Sequence, residues 1–303
     1  MRRGVVTLAL LGAAGFVALA SGEASGMPPD GAAVTPIAHA SAKAHKAVSA
    51  PKLSSGLAKL FRRVGRSGAF VMDASNNSVL FSRKAGRSRI LASNSKIFTT
   101  STALARFGST GRLHTTALSS DPITDNVSQG LYLRGGGDPT LTTAGINKLA
   151  DRVRGAGVTT VQGPLLYDAS FLDSQTGVPE HGIRYESVGR LSGLQIDNGS
   201  PSDPAKTAAQ RFQDALRKDG VSIGNSVVPA TVPPGAIQVA NFTSPTVASI
   251  VQDTNVTSNN YLAEMLLKDL GGEFGDSGST AGGIEVVKRF AAEQGARFAG
   301  ENG

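Results

Sequence analysis

"RILASNSKIFTTSTALARFG", residues 89–108, decides how this chain is read. It begins with residues that suit an extended segment and continues as an apolar-periodic helix stopped by Gly108, with Ser93 at the join and Lys96 three positions on. Two explanations compete. Serine is a favoured helix N-cap and lysine a common first-turn surface residue. Alternatively, positions i and i+3 share one helix face, so Lys96 can act as base toward the Ser93 hydroxyl, with the helix N-terminus near any developing oxyanion. The second explanation needs a neutral lysine, hence burial that lowers its pKa, and Ile97 and Phe98 are the neighbours expected to bury it.

The S-x-x-K string is weak alone, since it recurs at Ser49 and Lys52. A second string, Ser258-Asn259-Asn260 within "TNVTSNNYLAEMLLKDLG", strengthens it: Ser258 could relay a proton and the Asn260 amide could fix a substrate amide. It too has a decoy, Ser75-Asn76-Asn77, which reads as a hairpin turn.

Other chemistries find less support. No cysteine is present, which excludes disulfides, thiolate catalysis and zinc-finger ligation. No G-x-S-x-G elbow, H-E-x-x-H or P-loop occurs, and "RGGGDPT" lacks the G-K-[ST] ending, so no metal and no cofactor are expected. Of the four histidines, His39 and His45 fall in a linker, and His114 and His181 sit in no recognisable motif. Asp138, after three glycines and before proline, reads as a turn residue, and Glu264 and Asp269 read as a solvated face or packing partners. The net charge of +7 is spread along the chain without aromatic interleaving, which argues against a nucleic-acid partner.

Residues 1–20, with Arg2 and Arg3, an apolar run and Ala18-Leu19-Ala20, have the order of a secretory signal. The chain is therefore expected to be exported to the cell envelope, periplasm or extracytoplasmic face. Cleavage is preferred over retention as a membrane anchor, because the run is shorter than the ~20 residues of a span. Residues 21–52, rich in Ala, Ser, Gly, Pro and Lys, read as a flexible linker with order beginning near Leu53. A short amphipathic helix, a hairpin turning at Asn76-Asn77 and the helix from Ser93 come first. Short strands with two helices occupy 109–241, and helices return after Phe242. This pattern divides the chain into two segments of one domain, 53–108 and 242–303, with an α+β domain inserted at 109–241.

Taken together, "LASNSKIFTTSTALARFG", "LYLRGGGDPTLT", "VQGPLLYDASFLD" and "SNNYLAEMLLKDLG", in that order, resemble the D-alanyl-D-alanine carboxypeptidase/endopeptidase family, the class C low-molecular-mass penicillin-binding proteins. The resemblance implies an α+β penicillin-binding/β-lactamase-like transpeptidase fold, an antiparallel sheet with helices, carrying an inserted mainly β domain. It implies that Ser93 attacks the D-Ala-D-Ala carbonyl of a peptidoglycan stem peptide, Lys96 takes its proton, Ser258 passes a proton to the leaving amine and Asn260 binds substrate. β-Lactam antibiotics would acylate Ser93 and stall there.

The family's third box, K-[TS]-G, is absent. Lys206-Thr207-Ala208 and Arg66-Ser67-Gly68 are near-misses in the wrong places, and the ending at "FAGENG" reads as a C-terminal truncation. The missing strand would supply an oxyanion donor and a cationic clamp on the substrate carboxylate, and one lost donor costs ~100- to 1000-fold in turnover. Two alternatives follow: an exported peptidoglycan-binding fragment without catalysis, or a serine β-lactamase, disfavoured by the absence of an E-x-x-L-N string. The stretch 176–190 shows no clear match to the family's stem-peptide pocket.

Overall fold

The computed structural model describes residues 50–64, 67–73, 75–177 and 188–296. Residues 1–49, with the expected export signal, His39, His45 and nearly all of the expected linker, lie outside the described residues, as do His181 within 178–187 and the final "FAGENG". Two compact units divide at Ile90 and Leu91.

In the first unit, helix α1 (Ala50–Arg62) opens ahead of Leu53, and β1 (Ala69–Met72) pairs antiparallel with β2 (Val79–Arg83). Asn77 takes the left-handed conformation that a tight hairpin requires, and Asp73 fixes the turn by accepting from the Ser75 amide at 2.9 Å. Phe61 stacks on Phe81.

The second unit is built on a five-stranded sheet. Strands β3 (His114–Ser119), β5 (Leu131–Gly136), β7 (Leu165–Asp168), β8 (Val227–Pro229) and β9 (Ile237–Thr243) lie in the order β8-β7-β5-β3-β9, while β4 (Val127–Ser128) and β6 (Thr160–Val161) form a separate parallel pair. This sheet is mixed: β3 runs antiparallel to β5 and β9, but β7 runs parallel to β5 and β8 to β7. The parallel pairs need crossovers, supplied by α3 (Thr143–Gly155) and α4 (Pro204–Lys218). Both crossovers step in one direction along the sheet, so the usual right hand carries both helices to one face. That face holds a core including Leu131, Leu133, Ile146, Leu149, Leu165 and Phe212. Thr115, Ala117 and Ser119 of β3 point into it, leaving His114, Thr116 and Leu118 on the other face.

A second core lies among α2 (Lys96–Phe107), α5 (Val247–Thr257), α6 (Asn260–Phe274) and α7 (Thr280–Glu293), centred on Ile250, Leu262, Met265, Leu266 and Leu270. Helices α2 and α5 pack antiparallel. The Ala248 amide donates to Ser109 O at 3.1 Å at one end, and Thr100 Oγ1 meets the Asn255 side chain at 3.3 Å near the other. The ring of Phe107 meets Phe274 edge-on at 4.8 Å, and Arg106 pairs with Glu293 at 2.6 Å, tying α2 to α6 and α7. Helices α6 and α7 approach so closely that a Cβ on Gly283 would lie 1.9 Å from Leu267 O.

Candidate active site

Ser93 lies in a 3-10 turn, Ala92–Ser95, that leads directly into α2. The helix thus starts at Lys96 rather than at Ser93. The N-cap explanation loses its basis: the side-chain oxygen of Ser93 takes no capping bond, and neither the 3-10 turn nor α2 has a side-chain cap. Instead Lys96 Nζ stands 3.5 Å from Ser93 Oγ. Ser93 is exposed, as a nucleophile must be, and Ala92 before it holds a positive φ of 49°. A left-handed alanine costs energy that only its surroundings repay, and such residues cluster where a side chain must be presented at a set angle.

Lys96 is half-buried, and that burial alone holds its ammonium below the usual lysine pKa. This is the direction a general base requires, because only the neutral amine can accept the hydroxyl proton. The expected source of burial does not hold. Ile97 is 55% and Phe98 42% exposed, so neither wraps the lysine. Thr99 and Thr100, by contrast, turn inward against the helical core.

Ser258 terminates α5 in the left-handed conformation, φ 55°, and the Asn259 side chain caps α6 by accepting from the Leu262 amide at 3.1 Å. Asn260 opens α6 and is exposed. The antiparallel pairing of α2 and α5 puts the start of α2 and the end of α5 on one side. Lys96 lies one turn before Thr100, and Ser258 lies one turn after the Asn255 that Thr100 contacts. The chain segments bearing Ser93, Lys96, Ser258 and Asn260 therefore gather at one end of the helical layer, although the sequence separates them widely.

His114 is on β3, which follows the opposite end of α2, and has no part in this gathering. Asp138 makes the expected turn, its Oδ1 accepting from the Thr140 amide at 2.8 Å and hydroxyl at 2.7 Å. The Lys206-Thr207 near-miss is the first turn of α4, capped by Asp203 at 2.9 Å, and cannot act as a strand-borne box; Arg66 of the other near-miss lies outside the described residues. Of the two readings of Glu264 and Asp269, a solvated face or packing partners, burial excludes the first and fits the second. Both are buried, Glu264 accepting from the Gly177 amide and the Thr280 hydroxyl. For Asp269 the available signal was its place among Leu262, Met265 and Leu266 on the apolar side of "YLAEMLLKDLG", whereas Glu264 shares the remaining arc with Lys268.

This architecture defines the chain as a penicillin-binding-protein fold. It superposes on penicillin binding protein 4 from Haemophilus influenzae with a TM-score of 0.65 and 17% identity, covering 80% of this chain and 71% of that one. The same protein complexed with a novel β-lactam aligns with a TM-score of 0.61, covering 80% and 70%. The chain belongs to the D-Ala-D-Ala carboxypeptidase 3 (S13) family, which residues 52–201 and 199–301 match. A D-alanyl-D-alanine carboxypeptidase from an Actinomadura species is 27% identical over 318 aligned positions, taking in 77% of this chain. The chain spans 59% of the length of that curated relative.

Proposed function

We propose that this chain is a serine-type D-Ala-D-Ala carboxypeptidase/endopeptidase acting on peptidoglycan stem peptides, and that it binds penicillin through Ser93. The observation that carries the reading is the 3.5 Å approach of Lys96 Nζ to Ser93 Oγ in a chain of this family. Neutral Lys96 takes the Ser93 proton as Oγ attacks the carbonyl of the terminal D-Ala-D-Ala bond. The partial positive charge at the start of α2 favours the oxyanion. Collapse of the tetrahedral adduct breaks the C–N bond, with a proton passed through Ser258 to the departing D-alanine amine. Water then cleaves the ester and restores Ser93. Asn260 holds the amide on the acyl side. A β-lactam follows the first half of this path and leaves a penicilloyl ester on Ser93.

The division into 53–108 and 242–303 with 109–241 inserted is supported by one core that joins α2 to α5, α6 and α7 and another that lies almost wholly within 109–241, although Leu113, Leu172 and Leu191 join the helical core. The order of residues 1–20 favours export to the cell envelope, and no helix among the described residues is long and apolar enough to cross a membrane. The alternative is a peptidoglycan-binding relative without turnover. Labelling with a fluorescent penicillin decides between them. The enzyme reading expects covalent label on the chain, none on Ser93→Ala and almost none on Lys96→Arg, since a guanidinium cannot serve as base. A chain that retains peptidoglycan but takes no label at any concentration supports the binder.

A further inference from the structure

The sheet face turned away from α3 and α4 carries His114, Thr116 and Leu118 of β3 and Arg134 of β5, and these residues line a cleft of about 410 Å³. Phe107, Arg112, Phe171 and, one turn apart on α6, Asp269 and Glu273 complete the part that matters. Ser93 does not line it. Phe107 ends the helix that Ser93 precedes, so the cleft lies roughly 20 Å along the helix direction from the nucleophile.

Asp269 has no exposed surface, and neither of its carboxyl oxygens has a hydrogen-bond partner among the described residues. Asp138 Oδ2 and the Tyr261 hydroxyl, both buried, are in the same condition; Tyr261 feels the charges of Asp269 and Asp138, and Asp269 that of Asp138. Gly137, at φ +82°, lets its backbone reach Asp269: a Cβ there would meet Oδ1 at 1.8 Å. Buried carboxyl oxygens without donors are rare and costly. No ion pair among the described residues engages Asp269, Glu273, Arg112 or Arg134, although opposite charges line the same cleft. No group of three or more His, Cys, Asp or Glu suited to a metal occurs among the described residues, so N–H donors fit the oxygens better.

We propose that this cleft binds a small zwitterion of amino-acid or dipeptide size, whose primary ammonium donates to Asp269 and whose carboxylate accepts from Arg112 and Arg134. The rings of Phe107 and Phe171 take the apolar part. Burial, reinforced by Asp138 and Glu273, holds the Asp269 carboxyl well above the usual carboxylate range, so the empty site keeps a proton there. An incoming ammonium displaces that proton. Affinity therefore rises with pH, under the field of His114, Arg112 and Arg134 from the sheet side and Glu273 and Tyr261 from α6.

The test is a ¹H–¹⁵N titration of the whole chain with D-alanine and with glycylglycine, and with ethylamine and acetate as half-ligands. Saturable shifts of the His114, Gly136 and Gly137 amides are expected for at least one zwitterion. Affinity should fall about ten-fold or more in Asp269→Asn and in Arg134→Gln, and each half-ligand should bind weaker by a similar factor. Asp269→Asn preserves side-chain volume, and spectral dispersion confirms that it folds. The proposal is overturned if neither zwitterion saturates, if Asp269→Asn binds as the parent does, or if ethylamine binds as tightly as the zwitterions. Penicillin labelling of Ser93 is read separately, so either claim can fail alone.

Discussion

At the scale of single residues, the account turns on which atom satisfies the Ser93 hydroxyl. A capping serine replaced by alanine costs about 1 kcal/mol, but Ser93 caps nothing and is exposed, so Ser93→Ala should shift stability by no more than about 0.5 kcal/mol. Thermal melts measure this, and a larger loss would return the residue to a structural role. Lys96 gives a second expectation. Because burial lowers its pKa, the rate of penicillin acylation should climb with pH on a limb whose midpoint lies below the ordinary lysine value of ~10.4. A profile flat from pH 6 to 10 would contradict Lys96 as base. Ser258 holds a left-handed backbone that glycine adopts freely, so Ser258→Gly should gain up to about 1 kcal/mol of stability while slowing acylation, a trade expected where strain serves chemistry.

At the scale of elements, helix α6 carries the tension. Its buried Lys268 is paired with Asp173, so Asp173→Ala, which strands the ammonium, should cost about 3 kcal/mol by denaturant titration. Asp269 acts in the opposite sense. Unfolded, it titrates near ~3.9, and folded, its pKa is higher. The folded state thus holds a proton that the unfolded state releases, and the stability this confers is complete below about pH 4 and lost as pH rises through the folded pKa. Asp269→Asn should flatten that decline and stabilise the empty protein at neutral pH by about 1 kcal/mol or more. An unchanged pH–stability curve would refute the raised pKa of Asp269. Much of this layer was legible in the sequence. Thr142, Asp203 and Ser279, each ahead of a helical pattern, cap α3, α4 and α7 by accepting from the Gly145, Lys206 and Gly282 amides. The burial of Glu264 was not, because ionisable residues are so seldom inside that charge alone signals exposure.

At the scale of the whole molecule, local pattern and long-range pairing part company. The hairpin at Asn77 and the helix after Ser93 follow from a few adjacent residues. The order β8-β7-β5-β3-β9 does not, since whether β7 joins β5 in parallel depends on the route of α3 and not on any property of "LLYD". The site shows the same divide: Ser93 and Lys96 were visible as a spacing, whereas their approach to Ser258 exists only because α2 and α5 pack antiparallel. The most direct test of the central claim is peptide mapping by mass spectrometry of the chain after exposure to benzylpenicillin. The account predicts a single penicilloyl adduct on Ser93, absent from Ser93→Ala; an adduct on any other serine, or one that survives that substitution, would contradict it.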